Sequence, residues 1–291
     1  GYYTARPLID PGTDANAEVL ADALDKPGLK DFTRNGTYLV LRHLSQDVPK
    51  FWQFLDQTAA GDAGKREQLA TAMVGRSRDG TPLVSDGVDA GQGQISNNPK
   101  NNFTYKTDPH GQRCPIGAHI RRSNPRSADL PSGSTGFISR FLQMLGFKLN
   151  FPDDDLVASA RFHRLLRRGR TYGPTLSPED ALKPETDNVD RGLHFICLGA
   201  NISRQFEFVQ NAWLMSSKFA AVHQEQDALL GQRSPLLDGE TTSNFNRPDA
   251  AGPERQTCAL PQFITVKGGG YFFMPGLRAL SYLANLSKPR S

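Results

Sequence analysis

GTYLVLRHLSQDVPKFWQFL, residues 36–55, decides the fold class of this chain. Its first nine residues are rich in β-branched and aromatic side chains and follow an Asn-Gly pair, which predicts a strand over 36–44. VPKFWQFLDQTAA then carries Phe51, Phe54 and Leu55 at helical spacing. A strand that feeds a helix repeats further on. GLHFICLGA, 192–200, is a near-continuous apolar run that predicts a buried strand. ISRQFEFVQNAWLMSSKF, 202–219, predicts a helix with Phe206, Val209 and Trp213 on one side. FITVKGGGYFFMPG, 263–276, reads as two strands joined through glycines, and LRALSYLANL as a terminal helix. KREQLATAMV, 65–74, and the shorter ANAEVLADAL near the start add two more helices. The expected fold is α+β, an antiparallel sheet of ferredoxin-like type with helices packed on one face and long loops.

Composition narrows the function. The 291 residues are 37% hydrophobic and 22% charged, with 27 Gly and 20 Pro, a soluble and loop-rich balance. Lys and Arg exceed Asp and Glu by only 34 to 30, and the arginines gather in a few motifs, which does not predict a nucleic-acid surface. No apolar run reaches membrane-spanning length. Cys114, Cys197 and Cys258 are too few and too scattered for a disulfide framework or a zinc site and read as inert thiols. The opening GYYTARPLIDPG has no Met and no signal peptide and reads as the middle of a loop, which predicts a processed or truncated start and leaves the compartment open.

Residues 76–118 have little periodicity, and a polar loop of that length in a compact domain is usually functional or wraps a neighbour. RCPIGAHIRRSNPR, 113–126, closes it, and His119 there reads as a metal ligand, a general base or an ordinary polar loop residue. No further ligands stand at zinc spacing. A lone histidine can still hold haem iron, because the porphyrin supplies the four in-plane ligands. Haem would want cationic partners for its propionates, which Arg121, Arg122 and Arg126 could supply unless they are solvated surface arginines. An iron-bound imidazole also wants a carboxylate on its other nitrogen; Glu207, between Phe206 and Phe208, is either that acceptor or a solvent-facing acid.

CPIGAHIRRSNPR, HRLLRRGRTYGP, SRQFEFVQNAW and FITVKGGGYFFMPGLRAL occur in that order, after GTYLVLRHLSQDVPKFWQFL and LATAMVGRSRDGTPLV. On these segments the chain resembles the C-terminal part of the dye-decolorising peroxidases (DyP-type haem peroxidases), in particular their larger bacterial and fungal branch. The resemblance runs from about residue 34 to the C-terminus. It implies haem b (iron protoporphyrin IX) as cofactor, with His119 as the iron ligand, Arg167 as the distal arginine, Glu207 as the acidic partner of His119, and Arg121 and Arg126 beside the cofactor. Tyr172 matches a surface tyrosine that relays oxidising equivalents in some relatives; Trp213 reads as a core aromatic before it reads as a second relay. The implied reaction is oxidation of dyes, phenols or similar organic donors by hydrogen peroxide.

One part of the family pattern is missing. The distal Asp of a Gly-x-x-Asp-Gly motif lies upstream of everything matched. GRSRDG, 75–80, is one residue too long and matches another family segment, most simply a turn on Asp79-Gly80. The resemblance therefore implies a hetero-oligomer in which a second chain supplies the first half of the fold and its Asp. The alternative is a non-catalytic haem-binding or scaffold subunit. Residues 1–34 are expected to be a loop segment leading in from that missing half, and 35–291 the haem-binding domain, with an insertion at about 127–155.

Overall fold

The computed structural model describes residues 7–85, 99–126, 160–183, 189–222, 224–233, 235, 239, 241–249 and 252–286. The expected insertion at 127–155 lies outside them. In chain order the strands are β1 (Leu8–Ile9), β2 (Ala21–Asp22), β3 (Lys30–Asp31), β4 (Thr37–Gln46), β5 (Leu166–Arg167), β6 (Arg170–Tyr172), β7 (Gly192–Gly199), β8 (Phe245–Arg247), β9 (Arg255–Thr257) and β10 (Ile264–Met274).

The main sheet runs β10-β4-β7-β5, with β6 also on β7, and every pairing is antiparallel. Counting the short β5–β6 edge as one position, the spatial order is fourth, first, third, second, the split order of a ferredoxin-like sheet. The α+β fold class is the expected one.

Alternation along β4 sorts the sheet's two faces. Val40 pairs with Cys197, and both pack with Phe206. Leu39 pairs with Leu198, Leu41 with Ile196 and His43 with His194, so these side chains point the other way. Leu166 opposite Leu198 and Phe272 opposite Leu39 extend that second face and are 64% and 51% exposed. β7 is therefore only partly buried, with Gly192 and Cys197 its buried residues, not the fully buried strand that its apolar run predicts.

After β4, Asp47 caps the helix α1 (Val48–Thr58), its carboxylate accepting from the Lys50 amide. Helix α2 (Ala63–Val74) stops at Gly75, whose φ of 89° is left-handed. Trp52, Leu55, Leu69 and Met73 from the two helices form the largest buried cluster with Phe245, Leu260 and Phe263.

Three expectations change. The stretch 263–276 is one strand, because β10 pairs with β4 along its whole length with a bulge between Val266 and Gly268. Its glycines permit close passage rather than a turn: a Cβ on Gly269 would stand 2.2 Å from the Leu41 carbonyl oxygen. The 202–219 helix is wound wider than an α-helix over Ser203–Glu207 and Val209–Leu214, where Glu207 N–H donates to Ile202 O and Met215 N–H to Gln210 O. Near the start, the helix is a single tight turn, Ala15–Val19, before β2. Residues 7–34 are tied to the terminal helix Leu277–Leu286, where Tyr282 packs on Ala17 and Leu20 and donates to Asp14 Oδ2 at 2.7 Å.

Candidate active site

A cavity of about 930 Å³ lies on the Val40 face of the sheet. Arg42, Leu44, Leu193, Phe195 and Val266 form its sheet wall, and Phe206, Val209 and Trp213 its helical wall. Its size and largely apolar lining are those of a small-molecule or cofactor site.

His119 enters from the short helix α3 (His119–Ser123). The loop before it is held by Arg121, which is buried and donates to Asp108 Oδ2, Cys114 O, Asp108 O and Pro109 O while stacking on Tyr105. Gly117 is required there, since a Cβ would fall 1.5 Å from Glu225 Oε1. His119 Nδ1 pairs with Asp227 Oδ2 at 2.9 Å, and Asp227 is completely buried. Its other oxygen accepts from the Leu229 and Leu230 amides at 3.0 and 2.8 Å. Burial pushes the Asp227 pKa up, but the His119 charge and hydrogen bond, the Leu230 amide and the Arg122 charge outweigh it and hold the carboxyl below its ordinary value. An ionised Asp227 fixes the imidazole proton on Nδ1 and leaves Nε2 with a lone pair to offer a metal.

Arg126, Arg164 and Arg167 also line the cavity. Arg167 reaches it because its register partner on β7 is Cys197, on the cavity face. Its surface is open to the cavity, yet protein surrounds it, and that enclosure followed by the Arg76 charge lowers its pKa. Arg126 donates to Asn101 O and stacks on Phe103 at 4.1 Å. Burial, with the Arg76, Arg167 and Arg164 charges adding to it, brings its pKa down to about 10. Among the described residues neither Arg126 nor Arg167 has an ion-pair partner, and no carboxylate lines the cavity. So many guanidiniums facing apolar walls favour an anionic guest.

The residues singled out in the sequence divide accordingly. His119, Arg126 and Arg167 meet in the cavity. Arg121 does not: its donors are spent inside the preceding loop. Arg122 is likewise internal and reaches main-chain carbonyls instead of the cavity. Glu207 is not the partner of His119. It accepts from the Tyr271 hydroxyl at 3.1 Å, and Asp227 takes the expected role. The signal for Asp227 in sequence is faint, because an Asp bonded to the amides two and three residues on reads as an ordinary turn. Tyr172 lies on the opposite face of the sheet, packed against His43 and His194 with ring centroids 4.9 and 4.8 Å away, its hydroxyl near Asp190 at 3.3 Å. Trp213 is a buried core residue whose ring meets His163 and Phe208. Asp79 sits in a turn with Gly80 and binds Ser77, Thr81 and Lys100 away from the cavity.

Cys114 and Cys197 are buried and free, with pKa values pushed up by burial to about 12 and about 11; Cys258 is free and exposed. Among the described residues no cluster of three His, Cys, Asp or Glu could hold a metal ion, and no helix is long and apolar enough to cross a membrane. A lone imidazole backed by a buried carboxylate, in an apolar cavity edged by arginines, fits a metal that brings its own equatorial ligands; it does not fit a bare ion.

No protein-family model matches the chain. Among curated proteins it is 32% identical over 263 residues to the multifunctional dye peroxidase DyP2 of Amycolatopsis sp., covering 85% of this chain and 49% of that protein. It is 30% identical over 262 residues to a dye-decolorizing peroxidase of Exidia glandulosa, covering 84% and 45%. The chain thus spans about half the length of the curated relatives it matches. Among solved structures, Amycolatopsis DyP2 superposes with a TM-score of 0.60 at 26% identity over 93% of this chain and 57% of that one. The Anabaena sp. DyP-type peroxidase gives 0.56 at 28%, over 84% and 46%. A dye-decolorizing peroxidase described as having an engineered heme pocket gives 0.60 at 25%, over 90% and 56%.

Proposed function

Because this chain belongs to the dye-decolorising peroxidase family, matching about half the length of its relatives, we propose that it is the haem-binding half of a DyP-type peroxidase. The observation that carries the reading is the His119–Asp227 pair at 2.9 Å, facing a cavity of about 930 Å³. The cofactor is haem b. His119 Nε2 would bind its iron, and Arg126 would meet its carboxylates from the cavity wall. Bound haem would supply the oxidising centre that hydrogen peroxide charges and an organic donor, a dye or phenol, discharges.

The chain's own residues then have separate tasks. Asp227 holds the Nδ1 proton and makes the imidazole a more basic ligand. Arg167 stabilises negative charge on a peroxide oxygen beside the apolar walls of the cavity. The apolar walls keep bulk water and bulky donors out. Tyr172, beyond the sheet from the cavity, is the exchange point for such donors. Peroxide cleavage also needs a group to move a proton from one oxygen to the other, and no described cavity residue is a carboxylate. We assign that task to an Asp on a second chain carrying the other half of the fold.

The second face of the main sheet, opposite the cavity, is a separate apolar surface. Leu39, Leu41, Ile196 and Leu198 belong to none of the described core clusters, and Leu166 and Phe272 beside them are largely exposed. An apolar sheet face of this kind is normally covered. The lack of a carboxylate among the described cavity residues is equally compatible with a second reading, a haem-binding subunit without turnover.

Haem content and peroxidase turnover of the natively purified protein, with its subunits identified by mass spectrometry, test both. His119→Ala should abolish stoichiometric haem. Haem bound with an unchanged ferric spectrum in that variant would refute the site. Haem without turnover in the wild-type protein would favour the second reading.

A further inference from the structure

Arg122 stands three residues after His119 on α3, fully buried and outside the cavity. Its Nη1 donates to Trp213 O at 2.8 Å and Ser216 O at 3.1 Å, and its Nη2 donates to Glu225 O at 2.7 Å. Its guanidinium also lies 5.1 Å from the Phe219 ring centre. The three carbonyls belong to two segments that meet beside Asp227, whose own amide donates to Leu214 O at 2.8 Å. One side chain thus ties the helix that presents His119 to both segments that present its partner.

The Glu225 carboxylate is secondary in this arrangement. Its Oε1 is 3.7 Å from Arg122 Nη2, which is an ion pair but not a hydrogen bond, and both Oε1 and Arg122 Nε are buried without a hydrogen-bond partner. Its Oε2 accepts from the Asn246 amide at 2.7 Å. Main-chain carbonyls therefore hold the guanidinium. A planar fork with several fixed donors can serve three carbonyls at once, whereas an ammonium on a flexible stem cannot hold the same geometry.

We propose that Arg122 is the positioning residue of this site: by clamping Trp213 O, Ser216 O and Glu225 O it fixes the Asp227 carboxylate on His119 Nδ1. The proposal rests on His119 being the iron ligand and assigns the residue that sets that ligand's orientation and basicity.

The test reads the imidazole directly. In the haem-free protein, NMR of 15N-labelled histidine would follow exchange of the His119 Nδ1 proton with water, with Asp227→Asn as the reference for a lost pair. Arg122→Lys should speed that exchange at least tenfold, while Phe219→Leu, which alters packing but leaves the guanidinium, should change it less than twofold. In the haem-bound protein the Arg122→Lys substitution should also shift the ferric–ferrous potential in the direction that Asp227→Asn shifts it. Wild-type exchange in a folded Arg122→Lys protein would overturn the proposal, as would an equal effect from Phe219→Leu. Should Arg122→Lys fail to fold, Glu225→Gln removes only the ion partner. It should leave exchange within about threefold of wild type if carbonyls hold the clamp, and a full loss of protection would overturn it. Absence of haem from the wild-type protein would refute the haem reading but leave the exchange experiment intact.

Discussion

Asp227 Oδ2 accepts a hydrogen bond from His119 Nδ1 across 108 residues of sequence, and it does so from a position with no solvent exposure. Replacing Asp227 by Asn keeps the shape but removes the charge, and an amide oxygen is a weaker acceptor. Asp227→Asn should raise the ferric–ferrous potential of the bound haem, because a less basic imidazole stabilises ferric iron less. Redox titration of both proteins checks it, and an unchanged potential would contradict the assigned role.

Arg167→Leu should leave haem content unchanged and slow the reaction with peroxide on the order of 10²–10³-fold, the cost of losing one charge-stabilising group from such a site. Stopped-flow absorbance after peroxide mixing measures the rate. Asp79→Asn should leave the same rate within about twofold, since Asp79 spends its oxygens on Ser77, Thr81 and Lys100 in a turn. A large effect of Asp79→Asn would move the proton-transfer role onto this chain.

Glu225 should make stability fall as pH rises toward neutrality. Burial, only partly opposed by Arg122, pushes its pKa up from 4.5 to about 7. The folded state therefore keeps a proton that the unfolded chain has released, and stability declines between about pH 4.5 and 7. Glu225→Gln should remove that decline, worth at most about 3 kcal/mol at roughly 1.36 kcal/mol per pKa unit. Asp227 acts with the opposite sign: its pKa is lowered, so its contribution holds above the ordinary carboxylate range and is lost as the pH falls through the folded value. Urea melts across pH 3–8 separate the two.

Gly117→Ala should destabilise the protein by about 1–3 kcal/mol, the range for overpacking a buried site, because the new methyl meets Glu225 Oε1. Adding Glu225→Ala should relieve part of that cost, so the two changes will not add. Strict additivity in thermal melts would show that the contact is not the cause.

The strands at 36–44 and 192–200 and the helices at 48–58, 63–74 and 277–286 were legible because side-chain period is a local property. The 263–276 segment reads as two strands from sequence because its glycines resemble a turn when β4 is out of view; only pairing along the full strand shows that they permit close contact. Likewise β7 looks wholly buried by composition, while most of its residues are only partly buried.

At the site, the sequence singled out His119 and Arg126 by their chemistry and Arg167 only through the family resemblance of its segment, and the structure brings all three to one cavity. Tertiary structure alone decided which charges meet. Arg121 and Arg126 lie in one short motif, yet the first is consumed by Asp108 and neighbouring carbonyls while the second faces the cavity. Glu207 has the more suggestive surroundings in sequence, flanked by phenylalanines, and still binds Tyr271. Asp227 has no motif and becomes the partner of His119 because folding buries it there. A carboxylate removed from water is held ionised only by cations and amides brought to it from elsewhere in the chain, and those partners are set by three-dimensional proximity, which no local pattern encodes.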